Sequence, residues 1–208
     1  MKLYIDDLPV SEQIASDGAL RDALQHIQAE HCKPGRMVVG FRCNGEAVAA
    51  ETMSNVLEQA AASFEKIEVF TSTRETLVVE AMTQASVSLD QTDTASKEIA
   101  SLIVENKVPE AVENLGDCLR VWQQIHEAVV KSLTILELDP KALMIQDRSL
   151  LELIGQPRDV LTQVRDALQS HDHVLLADIL RYEFAEVIQS WQSVVARLRQ
   201  EAEERTSA

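Results

Sequence analysis

Short alternations of polar and apolar residues over Lys2–Ile5, Arg36–Cys43 and residues 66–71 give way, near Ser72, to apolar residues spaced three or four apart. A period of two marks strands and a period near 3.6 marks helices, so the chain joins two architectures. In the first, Asp6-Asp7 supplies a turn between Lys2–Ile5 and a returning strand Leu8–Val10. Asp17 is the expected cap of a helix carrying Leu20, Leu24 and Ile27 on one face, and Lys33-Pro34-Gly35 is its stop signal. Residues 37–41 are β-rich, and Asn44-Gly45 suits a tight type I′ turn, in which both central residues need positive φ. A return strand near residues 46–48, a short helix over residues 51–62 and a strand at residues 66–71 complete the region.

In order and size, residues 1–71 resemble the β-grasp, or ubiquitin-like, family. The resemblance implies a small head with an exposed sheet edge and one open sheet face, both common docking surfaces.

Beyond residue 71, Ser72 and Glu75 have the spacing of a capping box. Val78, Met82, Ala85, Leu89, Thr92, Ser96, Ile99 and Ile103 then alternate spacings of four and three, the repeat of a helix that buries one seam. Val108-Pro109 starts a second helix with the expected seam Val112, Leu115, Leu119, Trp122, His126, Val129, Leu133 and Leu136, stopped by Asp139-Pro140. Ser149 and Glu152 form another capping box, Pro157 marks a kink or restart, and Asp172 caps a last helix with Leu176, Leu180, Phe184, Val187, Trp191, Val194 and Leu198 on one stripe. Helices are expected at about 73–106, 109–137, 149–170 and 172–203. The fold class expected is α+β: a β-grasp-like domain over residues 1–71, then an antiparallel four-helix bundle over residues 72–208.

Composition sharpens this picture. Only 4% of residues are aromatic within a hydrophobic content of 46%, so the core is aliphatic, as helix seams are. Acidic residues outnumber basic ones 34 to 19, a net charge of −15. Residues 1–71 hold 6 basic and 11 acidic residues, net −5, and residues 72–208 hold 13 and 23, net −10. Nucleic acids and anionic membranes are gripped by clustered Lys and Arg, so neither is an expected partner. Cys32, Cys43 and Cys118 form no CxxC pair, which disfavours a disulfide framework or a zinc site and fits a reducing, cytoplasmic setting. The start at Met1-Lys2 passes straight into a strand, without the apolar stretch of a secretory signal.

Candidate chemistry is sparse. Asp178, Arg181, Tyr182 and Glu183 interrupt the apolar run of the last helix, and His126 occupies an expected seam position. His173, Asp178 and Glu183 are the residue types that hold catalytic metals, yet five positions on an α-helix turn Asp178 about 140° away from Glu183. No nucleophile elbow, phosphate loop, dinucleotide fingerprint or zinc-protease motif occurs, and no cofactor is expected. The expected function is a non-enzymatic, bacterial-type cytoplasmic module that binds a protein partner as adaptor, regulator or chaperone. The acidic helical region is similar in architecture to secretion and flagellar chaperones. Two alternatives are a metal-binding or catalytic bundle built on His173, Asp178 and Glu183, and a structural homodimer spacing two β-grasp heads.

Overall fold

A turn through Asp6 and Asp7, both at positive φ (47° and 65°), folds β1 (Lys2–Ile5) back onto β2 (Leu8–Val10). The computed structural model describes residues 2–10, 18–33 and 35–206, so the Asp17 cap and Pro34 lie outside the described residues. It divides into two compact units, Met1–Arg74 and Glu75–Ala208.

In the first unit, α1 (Leu20–Glu30) is followed by β3 (Arg36–Cys43), β4 (Glu46–Ala47), α2 (Ala50–Leu57), a single 3₁₀ turn (Ala61–Ser63) and β5 (Lys66–Thr73). The strands make a mixed sheet in the order β2-β1-β5-β3-β4, with β1 and β5 parallel and the other pairs antiparallel. Asn44 and Gly45 at φ 52° and 87° make the tight β3–β4 turn, and the Asn44 side-chain oxygen accepts from the amides of Glu65 and Lys66. Alternation sends Leu3, Phe41, Cys43, Ile67 and Val69 to one face, where Leu20, Ala23, Leu24 and Ile27 of α1 cover them. A second bond network ties the strands together at one end. The Asp6 carboxylate accepts from the Thr71 amide (2.8 Å), the Thr71 hydroxyl (2.6 Å) and Arg36 Nη2 (3.1 Å).

The second unit opens later than the expected capping box. Ser72 lies in β5, paired with Met37, and the strand continues to Thr73 before α3 (Arg74–Val104) begins. The seam of α3 is buried at every expected position from Val78 to Ile103. The hydroxyls of Thr92 and Ser96 on that seam donate back to the carbonyls of Ser88 and Asp93.

α4 (Val108–Ile135) departs from expectation. Its buried line is Ala111, Leu115, Cys118, Trp122, Ile125, Val129, Ser132 and Leu136, again alternating four and three. Val112 is 45% exposed, and Leu119 and His126 are only half-buried. The seam is therefore turned by one position on alternate turns: Leu115, Trp122, Val129, Leu133 and Leu136 are buried as expected, while the smaller Ala111 and Cys118, and Ile125, take the inward places expected for Val112, Leu119 and His126.

Instead of four continuous rods, the described residues after β5 form six α-helices. A small hairpin, β6 (Met144–Ile145) and β7 (Arg148–Ser149), precedes α5 (Leu150–Gly155), whose Ser149–Glu152 capping box is complete. Gln156 separates α5 from α6 (Pro157–Ser170), and a π turn (Ile179–Glu183) separates α7 (His173–Asp178) from α8 (Phe184–Thr206). Pro157 causes the first break, since it has no amide hydrogen. At the second, Leu176, Leu180 and Phe184 are all buried at two consecutive spacings of four, and the wider π turn absorbs the added residue. α3, α4 and α6 each end in the paired bonds of a Schellman motif, with Asn106, Glu137 and His171 at positive φ; α4 thus stops ahead of Asp139-Pro140. No helix among the described residues is long and apolar enough to cross a membrane.

Candidate functional site

Turning the α4 seam leaves Leu119, Gln123 and His126 on its open flank, facing α5 and α6 across a groove of about 920 Å³. Trp122 contributes to the same wall. Opposite stand Leu151 and Ile154 of α5 and Leu161 and Leu168 of α6, with Leu151 45% exposed. α6 is amphipathic in two directions: Val160, Val164 and Ala167 are buried, while Leu161 and Leu168 are half-buried one position further round.

Beneath the groove is an aromatic cluster. Trp122 lies 4.9 Å from Trp191 and 5.2 Å from Phe184 between ring centroids, and His126 stacks on Trp191 at 5.7 Å and 29°. The indole Nε1 of Trp191 donates to the Leu153 carbonyl at 3.1 Å, fixing α5 to α8.

The charge on this groove opposes that of the chain. Its described lining includes Arg158, Arg165 and His126 and no Asp or Glu, in a segment of net −10. Arg165 chelates Asp166 Oδ1 through Nε and Nη2 at 2.9 and 2.7 Å. Arg158 is exposed and has no ion pair among the described residues.

The residues singled out by sequence fall in two places. Asp178, Arg181, Tyr182 and Glu183 lie along α7 and the π turn: Asp178 is exposed, Arg181 and Glu183 are half-buried, and Tyr182 is 62% exposed. The π turn corrects the expected angle between the two acids. A π turn winds less per residue than an α turn, so Asp178 and Glu183 stand at a smaller angle than the roughly 140° of a regular α-helix. His173 opens α7, and among the described residues no three His, Cys, Asp or Glu side chains gather as a metal site would need. His126 belongs instead to the groove. Leu161 and Leu168 read from the sequence only as part of a helix stripe with Val160 and Val164, and Arg158 and Arg165 carried no signal of their own, although Arg-x-x-Leu occurs twice there, seven residues apart.

The outer sheet face of the first unit is a second surface, but its charges are internally matched. Lys66 sits 4.8 Å from the Tyr4 ring centre and 2.8 Å from Glu68, and Arg42 sits 5.2 Å from the Phe70 ring centre. Cys32 is half-buried; burial raises its thiol pKa, Asp6 adds to the rise and Arg36 opposes it.

Fold and groove together define an α+β protein: a mixed-sheet unit followed by a helical unit with an open apolar trough. The chain belongs to the family described as a domain of unknown function, DUF8042, which its residues 80–194 match. Residues 1–73 match the TP0873 N-terminal domain. No curated protein and no solved structure matches the chain.

Proposed function

We propose that this protein is a non-enzymatic, cytoplasmic protein-interaction module that receives an apolar element of a protein partner in the groove between α4 and α5–α6. The carrying observation is the groove itself: Leu119, Leu151, Ile154, Leu161 and Leu168 line an open trough that the described helices of the second unit leave unfilled. Apolar troughs of this kind between helices are the usual seat of an added helix. In this reading the first unit is a β-grasp head, supported by its strand order and parallel central pair. α3, α4, α5–α6 and α7–α8 act as the four rods of an interrupted bundle.

Photo-crosslinking from cells tests the reading. A benzophenone amino acid placed at Leu161 or Leu151 is expected to capture a discrete partner protein, and the same group at exposed Glu204 is not. Capture from Glu204 alone, or from neither groove position, overturns it.

A further inference from the structure

We infer that the occupant of the α4/α5–α6 groove is an acidic amphipathic helix whose carboxylates meet Arg158 and Arg165; this rests on the groove reading above. The α6 wall of the groove repeats after seven residues: Arg158 and Leu161 recur as Arg165 and Leu168, while α4 places Leu119 and His126 seven apart on the opposite wall. A heptad repeat is the signature of a surface that meets another helix, because 3.5 residues is the period at which paired helices stay in contact. A compact ligand with one carboxylate would engage one arginine. Two arginines seven residues apart, about 10 Å along the axis, match acidic positions seven apart on a helix.

Charge selects among helices. The described lining residues hold two arginines and no acid, although the chain carries −15. The Debye length at physiological salt is about 8 Å, so a docked helix senses the rim arginines, with Asp159 and Asp166 beside them, more than the acids elsewhere on the chain. Arg158 is without an ion pair among the described residues, and Arg165 donates to its exposed neighbour Asp166, so both guanidiniums have N–H groups that can donate to a new carboxylate. A basic helix would set Lys or Arg against them.

The test uses the full chain and two synthetic peptides of about three heptads. Both carry Leu at the a and d positions; one has Glu at e and g, the other Lys. Binding is read by anisotropy of the labelled peptide. The acidic peptide is expected to bind at least tenfold more tightly, with a preference that weakens as salt is added. The double variant R158E/R165E, checked for unchanged helicity, is expected to reverse that preference. Equal binding of both peptides that Leu161→Lys abolishes overturns the acidic occupant and leaves the groove reading standing. Acidic-peptide binding indifferent to Leu161→Lys overturns the groove reading as well. Failure of the acidic peptide where dodecanoate binds in an Arg158-dependent manner replaces the helix with a fatty carboxylate and overturns the inference.

Discussion

The indole of Trp191 donates to the Leu153 carbonyl, the group that residue 157 of a continuous helix would have satisfied. Residue 157 is proline, so the helical donor is missing, and a side chain from α8 supplies it across 38 residues of sequence. Helix break and tertiary bond are one feature: Pro157 frees the acceptor, Trp191 occupies it, and α5 is held where it walls the groove.

Trp191→Phe is therefore expected to cost about 1–3 kcal/mol from a buried carbonyl left without a donor, beyond any loss of packing. Pro157→Ala returns a backbone amide to the position. In a double-mutant cycle the two changes should couple by about 1 kcal/mol, the Trp191→Phe cost being smaller when residue 157 is alanine. Effects of Pro157→Ala on the unfolded chain cancel in such a cycle. Strict additivity in urea denaturation would show that the bond does not compensate for the proline.

How far the sequence disclosed this arrangement depends on what stood next to each buried position. The β3–β4 hairpin was legible because Asn44-Gly45 meets a demand for positive φ that few pairs meet. The α3 seam was legible because alternating spacings of four and three run unbroken from Val78 to Ile103. On α4 the buried line takes in Ala111 and Cys118, which are less apolar than the adjacent Val112 and Leu119, so hydropathy pointed one position too far round there, whereas at Ile125 beside His126 hydropathy favours the residue that is buried. The groove was hidden for a related reason. Leu161 and Leu168 read as part of one stripe with Val160 and Val164, although only the valines are buried. The αL ends at Glu137 and His171 carry no glycine to announce them.

The turned seam can be tested by charge. Val112→Glu should change stability by no more than about 0.5 kcal/mol, as an exposed substitution does. Ala111→Glu, one residue away, should cost about 3 kcal/mol or more, because it buries an unpaired carboxylate. Thermal unfolding followed by helical circular dichroism distinguishes them; the opposite ranking would restore the seam through Val112.

Acid should loosen the first unit through Asp6. Burial raises its pKa, but the Thr71 hydroxyl and amide and the Arg36 charge outweigh this and hold the carboxyl below its ordinary value of 3.8. A carboxyl depressed on folding contributes stability that is complete above its unfolded pKa and is lost as pH falls through the lower folded value. Asp6→Asn should therefore be less stable than the parent chain at neutral pH, and the gap should close on acidification below about pH 4. Exchange of the Thr71 amide, which donates to Asp6 at 2.8 Å, gives a local readout. A gap that persists at low pH would mean that the carboxylate charge contributes nothing.

The three thiols give each unit its own reporter. Only the thiolate reacts with disulfide reagents, and both access and pKa govern how much is available. Burial raises the pKa of Cys43 in the sheet core and pushes Cys118 on the α4 seam to about 11. The pKa of Cys32 is raised as well, but Cys32 is only half-buried, so at mildly alkaline pH it should react faster than the other two, and the fast phase should vanish in Cys32→Ser. Cys43 and Cys118 should then react only as fast as their surroundings open. Because they lie in different units, their rates under increasing urea report the opening of the sheet unit and of the helical unit separately. If Cys118 were modified in the native chain as fast as Cys32, α4 could not be packed through Ala111, Cys118 and Ile125, and the flank that forms the groove would lose its orientation.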